Sequence, residues 1–379
     1  MHICSNCVKE ESLIEFLNES GELTELCNIC NSSNVKTVDV ENPVLIQAVR
    51  ALTRYYIDEW EYNTHMGGDN ILTLFFREKP IFSDLFYAND DEAGNILDVF
   101  FADGYYLNNE GVSIYFGFVD DFRGMFEAIQ HSSSQKIFEI TSHAKKKSYF
   151  ELLNAVSQII DYSETHILSD IEDLELYRAR IGIQKEGYTY EGFEYRQKKK
   201  YLPFSDKSIE APPIQFVSKG RMNREGFSFL YLAEDANTAI HEVKPSPGDL
   251  VSIGKFKQNT KIKIADFTKI KISQFWSNDE TLDIYTELLG IMKFISNPVG
   301  SNNSIQYLYT QLISEELIKR GFEGIKFRSS ITGASNYSIF NPSRFDYVQE
   351  GRMAINISQF NLVYEDLPLL TLNQRVYGD

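Results

Sequence analysis

The apolar residues of the chain recur at helical spacing over two long stretches. In NPVLIQAVRALTRYYIDEW, residues 42–60, they return every three or four positions, which predicts an amphipathic helix. A second helical pattern covers about residues 120–168 and includes SYFELLNAVSQIIDYSETHIL, residues 148–168. The two stretches frame a mainly helical domain, which we expect over residues 41–168.

After Leu168 the spacing changes to short alternating runs. LELYRARIGI (174–183) alternates like a strand, and FSFLYLA (227–233) is apolar on both faces, as expected of a strand buried on both sides. Residues 186–213 are predicted to form a long aromatic and basic loop, with the RQKKK run at 196–200 solvated. The other predicted elements are strands near 249–257, 262–267 and 324–330 and helices near 279–295 and 305–320. We therefore expect an α+β domain over residues 169–379.

A short helix is predicted directly after the FSFLYLA strand. Asp235 or Asn237 can cap its first turn, and Pro245 stands where an H-E-x-x-H zinc-protease motif would need its second histidine. Glu242 lies at the margin of the buried stripe, where a carboxylate either faces a cleft or is a solvated flank residue, and His241 lies on the other flank. The stripe itself consists of Ala236, Ala239, Ile240 and Val243.

All four cysteines lie near the start of the chain, in two C-x2-C pairs. They are Cys4, Cys7, Cys27 and Cys30. Two tight turns of this kind can present four sulfur atoms to one Zn²⁺ in a tetrahedral arrangement. Four thiolates leave no open position for water, so the ion is predicted to be structural, in a zinc-ribbon-like module over residues 1–40.

Composition narrows the function classes. The 379 residues carry a formal net charge of -17, which repels nucleic acids and anionic membranes, so binding to either is disfavoured. No apolar run approaches the ~18 residues of a membrane span, and Met1 is not followed by the pattern of a secretory leader. These two observations predict a soluble cytoplasmic protein. Because 43% of the residues are hydrophobic, we also expect the chain to be globular.

Three blocks of the α+β region closely resemble the RES domain, a bacterial family named for its Arg, Glu and Ser. The blocks are LYRAR (176–180), GRMNREGFSFLYLAEDANTAIHEV (220–243), and GFEGIKFRSS followed by GASNYSIFNP (321–342), within a match of about residues 168–350. The preceding region resembles the zinc-ribbon and HEPN-like N-terminal region of longer members. The resemblance implies an α+β fold similar to that of ADP-ribosyltransferases, in toxins that degrade NAD⁺.

The resemblance also implies roles for single residues of this sequence. The family's arginine falls on Arg178, with Arg180 as an alternative beside it. Its serine falls on Ser329, with Ser330 as the alternative because Arg328 stands where many members have proline. The other matched residues are the tyrosine of the LYLA strand, the glutamate of the short helix and the GRxN turn, namely Tyr231, Glu242, Gly220, Arg221 and Asn223.

An NAD⁺-degrading family implies two tasks for these charged side chains. The pyrophosphate of NAD⁺ needs local positive charge in an acidic chain, which Arg178, Arg221 and Arg180 would supply. Cleavage of the bond between nicotinamide and ribose builds positive charge on the sugar, which Glu242 would stabilise. NAD⁺ is therefore the expected substrate, and Zn²⁺ the expected structural ion.

Several alternatives stay open at this point. Tyr231 would pack on the nicotinamide ring, with Ser329 nearby, or it is a core tyrosine. The acceptor is water or inorganic phosphate, and transfer of ADP-ribose to a macromolecule is an alternative reaction. A catalytically inactive partner-binding module is an alternative of another class. We expect restraint by an antitoxin or by the chain's own N-terminal region, and a homo-oligomer is compatible with the sequence.

Cleavage of RNA is a further alternative for the helical region. HEPN ribonucleases use an arginine followed closely by a histidine. Arg123 and His131 are separated by seven residues, which is longer than that motif uses. The spacing therefore disfavours RNA cleavage.

Overall fold

The N-terminal segment forms a small antiparallel sheet in the order β1-β3-β2. The computed structural model describes residues 1–62, 67–101, 127–131, 148–191, 196–296 and 304–357. The strands of the small sheet are His2–Cys4, Glu22–Leu26 and Ser33–Asp39, and α1 is Glu11–Ser20. Cys4 ends β1 and Cys27 directly follows β2, so the sheet brings the two C-x2-C turns together. This arrangement is compatible with the predicted zinc ribbon.

Helices follow this sheet. The predicted helix within residues 42–60 is confirmed, and so is the part of the second predicted stretch over residues 148–168. Of residues 120–147, only 127–131 are described, and they are not helical. The helices are α2 Pro43–Tyr56, α3 Glu59–Tyr62, α4 Ile71–Glu78, α5 Asp90–Phe101 and α6 Tyr149–Ile167. The Asn42 side chain caps α2, and Ser148 with Glu151 forms a capping box at the start of α6. Arg123 lies outside the described residues. Within the described ranges, no helix is long and apolar enough to cross a membrane.

The C-terminal half is built on an eight-stranded mixed sheet in the order β13-β9-β5-β8-β12-β11-β10-β4. Its strands are β4 Leu168–Ile171, β5 Glu175–Ile181, β8 Leu230–Ala233, β9 Leu250–Gln258, β10 Ile262–Asp266, β11 Gly324–Arg328, β12 Ser335–Ile339 and β13 Phe345–Asn356. These bounds confirm the predicted strands, and β8 lies inside the sheet. The chain is therefore α+β, as expected.

One loop prediction is wrong. Within residues 186–213, which we expected to be a loop, β6 (Lys185–Glu191) and β7 (Arg196–Leu202) pair as an antiparallel hairpin. Tyr188 and Tyr201 of this hairpin are exposed, and Lys199 pairs with Glu186 at 2.8 Å. The described side chains of the hairpin form no buried apolar face, so the alternation of apolar and polar residues by which the sequence pattern detects a strand is weak here.

Three further helices cover one face of the large sheet. They are α7 Ala236–Glu242, α8 Asp279–Ser296 and α9 Ser304–Lys319. The apolar side of α7 packs on β5 and β9, whereas α8 and α9 share a core with residues of β10 and β11. The opposite face is covered by the segment around Ile209 and by Phe345. The stretch of β8 and β12 that lies between α7 and the other two helices is where the candidate site forms.

The N-terminal region and the large sheet share one hydrophobic core. A single cluster of buried residues extends from Ile3 through α2 and α6 to Phe327 in β11. Buried polar contacts cross the same boundary: Arg54 of α2 pairs with Asp279 of α8 at 2.6 Å, with both side chains under 10% exposed. The boundaries at residues 40 and 168 stay sequence predictions, while the packing across them is continuous.

Candidate functional site

The carboxylate of Glu242 is held by two side chains from other parts of the sheet. Ser329 Oγ donates to Glu242 Oε1 at 2.8 Å, and Asn336 Nδ2 donates to the same oxygen at 2.7 Å. Ser329 and Asn336 are buried, whereas Glu242 is exposed. Among the described residues no group donates to Oε2. The carboxylate is therefore fixed through one oxygen, and its other oxygen faces the surroundings.

Local structure explains how α7 presents this glutamate. Asp235 caps the helix by accepting from Thr238 N at 2.8 Å, which confirms one of the two predicted caps. The predicted buried stripe is also confirmed, because Ala239 and its neighbours pack on the sheet. The helix ends at Glu242, and Lys244 takes a left-handed φ of 48° before Pro245. Glu242 is thus the last helical residue, at the margin of the stripe.

The turn after β11 places Ser329 opposite this helix end. The backbone amides of Ile331 and Thr332 lie 3.3 and 3.4 Å from Ser329 Oγ. Thr332 Oγ1 also lies 2.9 Å from Thr238 Oγ1 of α7, which ties the turn to the helix. Ser330 is exposed, and the hydrogen bond to Glu242 comes from Ser329. Of the two predicted serines, Ser329 is the one that meets Glu242.

A cleft of about 200 Å³ gathers four of the predicted residues. Its lining includes Arg178, Gly220, Asn223 and Tyr231, together with the aromatic residues Phe216 and Phe229. Glu242 and Ser329 do not line this cleft. The predicted site residues therefore form two groups, one around the carboxylate and one around the cleft.

Arg178 lies where two neighbouring strands part. Within the described sheet, β5 and β8 pair at Tyr177↔Ala233 alone, and Arg178 Nη1 donates to the carbonyl of Tyr231 at 3.2 Å. Arg178 Nε is buried and has no hydrogen-bond partner in the described part of the chain. Burial, and then the charge of Arg180, lower the pKa of Arg178 to about 10. The guanidinium thus stays cationic at neutral pH and lacks an anionic partner among the described residues.

Tyr231 forms a second wall of the cleft. Its hydroxyl donates to Asn223 Oδ1 at 2.7 Å and accepts from Met222 N at 3.2 Å. Burial raises the pKa of Tyr231 to about 12, so the phenol is neutral at physiological pH. The ring also packs against the shared core. Tyr231 is therefore both a core residue and a cleft residue, and the two interpretations from the sequence are compatible.

The turn at Gly220 and Asn223 is shaped by close contacts. A Cβ added at Gly220 would lie 2.3 Å from Asn223 Oδ1 and 3.1 Å from the Tyr231 hydroxyl. Asn223 Nδ2 donates to the carbonyls of Ser218 and Arg224, both at 3.0 Å. Glycine is needed here because a side chain would displace the hydrogen bond that fixes the phenol.

The two other predicted arginines lie away from the cleft. Arg180 Nη1 donates to the carbonyl of Ser208, and its guanidinium lies 4.6 Å from the centre of the Phe204 ring. Arg221 Nη1 donates to the carbonyl of Ile295 at 2.9 Å. Neither side chain lines the cleft beside Arg178. Their assignment to substrate binding stays a prediction.

The sheet register relates the carboxylate group to the cleft group. Ala233 pairs with Asn336 and Tyr231 pairs with Ser338, so these side chains share one face of the sheet. Residues two apart along a strand are separated by about 7 Å. Asn336, which holds Glu242, and Tyr231, which lines the cleft, therefore stand in adjacent rows of the same face.

The four cysteines form a separate cluster at the other end of the chain. The Sγ atoms lie 4.0 Å apart for Cys4 and Cys7, 3.5 Å for Cys4 and Cys30, and 3.8 Å for Cys7 and Cys27. All four lie within 4.8 Å of one another. Tetrahedral coordination with Zn–S bonds of ~2.3 Å places sulfur atoms about 3.8 Å apart. The donor set and its spacing therefore fit one Zn²⁺.

Several residues of the site were not predicted from the sequence, among them Asn336 and Phe216. A signal for Asn336 was present in the GASNYSIFNP block, where Asn336 and Ser338 alternate with Tyr337 and Ile339, a pattern typical of a strand. Phe216 gave no such signal, because it lies in a short non-repetitive segment, and it reaches the cleft through the tertiary fold while 73% exposed.

Comparison with known proteins identifies the C-terminal region. Residues 193–361 match the family model of the RES domain, a segment that contains Tyr231, Glu242, Ser329 and Asn336 but begins after Arg178. No curated protein matches the sequence. A chain of the crystal structure of the M. tuberculosis MbcT–MbcA toxin–antitoxin complex covers 54% of this chain and 93% of its own length, with 13% identity and a TM-score of 0.31. That TM-score is too low to establish a shared fold.

Proposed function

Since the chain contains a RES domain over residues 193–361, we propose that it consumes NAD⁺ by cleaving the bond between nicotinamide and ribose. The observation that carries this proposal is the Glu242 carboxylate. Ser329 and Asn336, two neutral donors, hold it through Oε1, and no described residue donates to Oε2. Such a group keeps its negative charge in a fixed place, where it can stabilise positive charge on a sugar.

In the proposed reaction the bond between ribose C1 and the pyridinium nitrogen breaks. The electron pair leaves with nicotinamide, which becomes neutral, and positive charge develops on C1 and the ring oxygen of the ribose. Glu242 stabilises that charge through an electrostatic contact that exists before the reaction begins. Water then adds through its oxygen and loses a proton to give ADP-ribose, or inorganic phosphate adds to give ADP-ribose 1''-phosphate.

Arg178 is the proposed anchor for the pyrophosphate. Its guanidinium is cationic, and its buried Nε–H has no partner among the described residues, so a charge-assisted hydrogen bond to phosphate would satisfy it. Tyr231 and Phe216 offer aromatic faces in the same cleft. A cleft of about 200 Å³ is smaller than the ~300–1,000 Å³ typical of ligand pockets, so we propose that the dinucleotide extends beyond it towards Glu242.

The cysteine cluster is proposed to hold a structural zinc ion. Cys4, Cys7, Cys27 and Cys30 would supply all four ligands, which leaves no position for a reacting water molecule. When bound, Zn²⁺ would cross-link β1 to the turn that follows β2. The ion therefore supports the N-terminal sheet, and the chemistry of the RES domain proceeds without it.

An enzyme that consumes NAD⁺ in its own cell needs restraint. We propose a regulatory partner of the antitoxin type, or restraint by the N-terminal region, and activity in the cytoplasm, where NAD⁺ is available. Self-association into a homo-oligomer is an additional candidate for control. Each form of restraint would lower the rate of NAD⁺ turnover, so that rate is measured first.

The test is incubation of the purified full-length chain with NAD⁺, with and without inorganic phosphate, followed by chromatography of the products. We expect free nicotinamide together with ADP-ribose or, if phosphate is the acceptor, ADP-ribose 1''-phosphate. Adenine-labelled NAD⁺ that labels a macromolecule would show ADP-ribosyl transfer instead. If no nicotinamide is released under any of these conditions, the proposed function is wrong and a binding module is the better interpretation.

A further inference from the structure

A buried glutamine on α9 holds both ends of the turn that forms one wall of the cleft. Gln311 is 7% exposed, and its Nε2 donates to the carbonyl of Gly220 at 2.8 Å and to that of Asn223 at 3.1 Å. The turn is also closed on itself, since Gly220 N donates to Asn223 O at 2.9 Å. One amide group thus bridges the two carbonyls at the ends of a four-residue turn.

This turn fixes the phenol of the cleft. Asn223 Oδ1 accepts from the Tyr231 hydroxyl, and Met222 N donates to the same hydroxyl. Met222 is 1% exposed and belongs to the core that the sheet shares with the N-terminal helices. A shift of the turn would therefore move Tyr231 and the Gly220 wall together. Gln311 itself does not line the cleft.

The helix that carries Gln311 is anchored on its far side to the N-terminal region. Ser157 of α6 donates to Glu316 at 2.9 Å, and Arg320 pairs with Glu316 at 2.8 Å and with Asp161 of α6 at 2.6 Å. Glu316 is 1% exposed, so the contact is part of the interior. A rigid helix thus runs from the α6 contact to the turn of the cleft.

We propose that Gln311 is a positioning residue for substrate binding. By bridging Gly220 and Asn223, it keeps the cleft formed in the absence of substrate, so binding does not have to order the turn. This proposal rests on the proposed function, because the ligand in question is NAD⁺. Loss of the bridge removes the Gln311 donor from the carbonyl of Gly220 and leaves the carbonyl of Asn223 with Gly220 N alone, which lowers the fraction of molecules that have a formed cleft.

The test compares Gln311→Leu with the parent chain. Leucine has a similar size and no donor, so KM for NAD⁺ is expected to rise about tenfold, while kcat at saturating NAD⁺ changes less than about threefold. Hydrogen–deuterium exchange of the amides in residues 218–226 should become faster. The exchange measurement does not depend on turnover, so it tests the ordering of the turn even if the chain does not cleave NAD⁺.

The chain offers a matched control in Gln258 of β9. This glutamine is 6% exposed, and its Nε2 also donates to two carbonyls, those of Ile171 and Thr260, each at 2.7 Å. Gln258→Leu therefore removes a comparable pair of donated hydrogen bonds outside the cleft, together with one that Gln258 Oε1 accepts from Leu174 N at 3.3 Å. We expect it to lower the melting temperature at least as much as Gln311→Leu, with KM and the exchange of residues 218–226 unchanged.

A milder variant keeps the test decisive if Gln311→Leu fails to fold. Thr310 Oγ1 donates to the carbonyl of Arg221 in the same turn, so Thr310→Val should raise KM severalfold in the same direction. The proposal is overturned if folded variants at 310 and 311 keep the parent's KM and exchange rates, or if Gln258→Leu shifts KM equally. A parent chain that releases no nicotinamide while the exchange difference is present overturns the proposed function instead.

Discussion

The two groups of site residues differ in how they hold a charged side chain. Around Glu242 a charged, exposed carboxylate is held by neutral donors, so its charge stays available. In the cleft a charged guanidinium is buried at Arg178, where burial lowers its pKa and leaves Nε without a partner among the described residues. The first arrangement suits stabilisation of a charge that appears during a reaction. The second suits binding of a charge that the ligand already carries.

The strongest test of this difference is Glu242→Gln. Glutamine keeps the shape and removes the charge, so kcat should fall by about 10²-fold or more, with a small effect on KM. His241→Ala on the same helix is the control, since His241 contacts the carbonyl of Asn237 within α7. Steady-state release of nicotinamide gives both constants. If Glu242→Gln turns over NAD⁺ like the parent while His241→Ala is inactive, the catalytic group lies on the other flank of α7 and its assignment to Glu242 is wrong.

Arg178→Ala should act on binding. Loss of a charge-assisted hydrogen bond to phosphate costs about 1.5–3 kcal/mol, which is a rise of about 10- to 150-fold in the Kd for NAD⁺. Arg180→Ala is the comparison, because Arg180 contacts Ser208 and Phe204 away from the cleft. Calorimetric titration with NAD⁺ measures the effect when both substitutions are made in the Glu242→Gln chain, in which turnover is slow. A larger loss of affinity in Arg180→Ala would reverse the assignment of the family arginine.

The pH dependence should report the same guanidinium. The pKa of Arg178 is lowered to about 10, so the cationic form that binds phosphate is present below that pH and is lost as the pH rises through it. For the free enzyme, kcat/KM should therefore fall about tenfold per pH unit above pH ~10. Arg178→Ala should lack this alkaline limb. A limb that persists in the variant would belong to another group.

Gly220→Ala tests how closely the cleft is packed. The added methyl group would meet Asn223 Oδ1 at 2.3 Å and disturb the hydrogen bond of Tyr231, so KM should rise about fivefold with little change in kcat. Gly94→Ala in α5, where an added Cβ meets nothing within 4 Å, is the control and should keep the parent's constants. If the parent, Gly220→Ala and Gly94→Ala all have the same KM, the turn can shift without changing how the cleft binds NAD⁺.

The smallest effect on turnover is expected from the cysteine cluster. Cys4→Ser with Cys7→Ser should abolish binding of about one Zn²⁺ per chain and unfold the N-terminal sheet locally, because the metal would cross-link β1 to the turn that follows β2. Turnover of NAD⁺ should largely survive, since no cysteine lies in either group of site residues. Elemental analysis and thermal melting check the claim. The zinc site is contradicted if the purified parent chain contains no metal and the variant's N-terminal region melts at the same temperature as the parent's.

The sequence predicted best where the signal is local. The cysteine spacing indicated a four-sulfur cluster, and the apolar stripe around Ala239 placed Glu242 at a helix margin, because both patterns lie within a few turns of chain. The pairing of Glu242 with Asn336 depends on strands far apart in the sequence, and no periodicity encodes it. The β6–β7 hairpin was missed although it is local in sequence. A strand can be recognised by alternating apolar and polar residues only when one of its faces is buried.

The core that joins the N-terminal helices to the sheet limits how this protein can be rearranged. A cut after residue 168 would remove α6, which packs on α8 and α9, and would leave Asp279 without Arg54. Removing one partner of a buried ion pair typically costs about 3–5 kcal/mol. Residues 1–168 therefore cannot simply be exchanged for the N-terminal region of another protein. A chimaera that carries another front half would need compensating substitutions on α8 and α9 before its RES domain could fold.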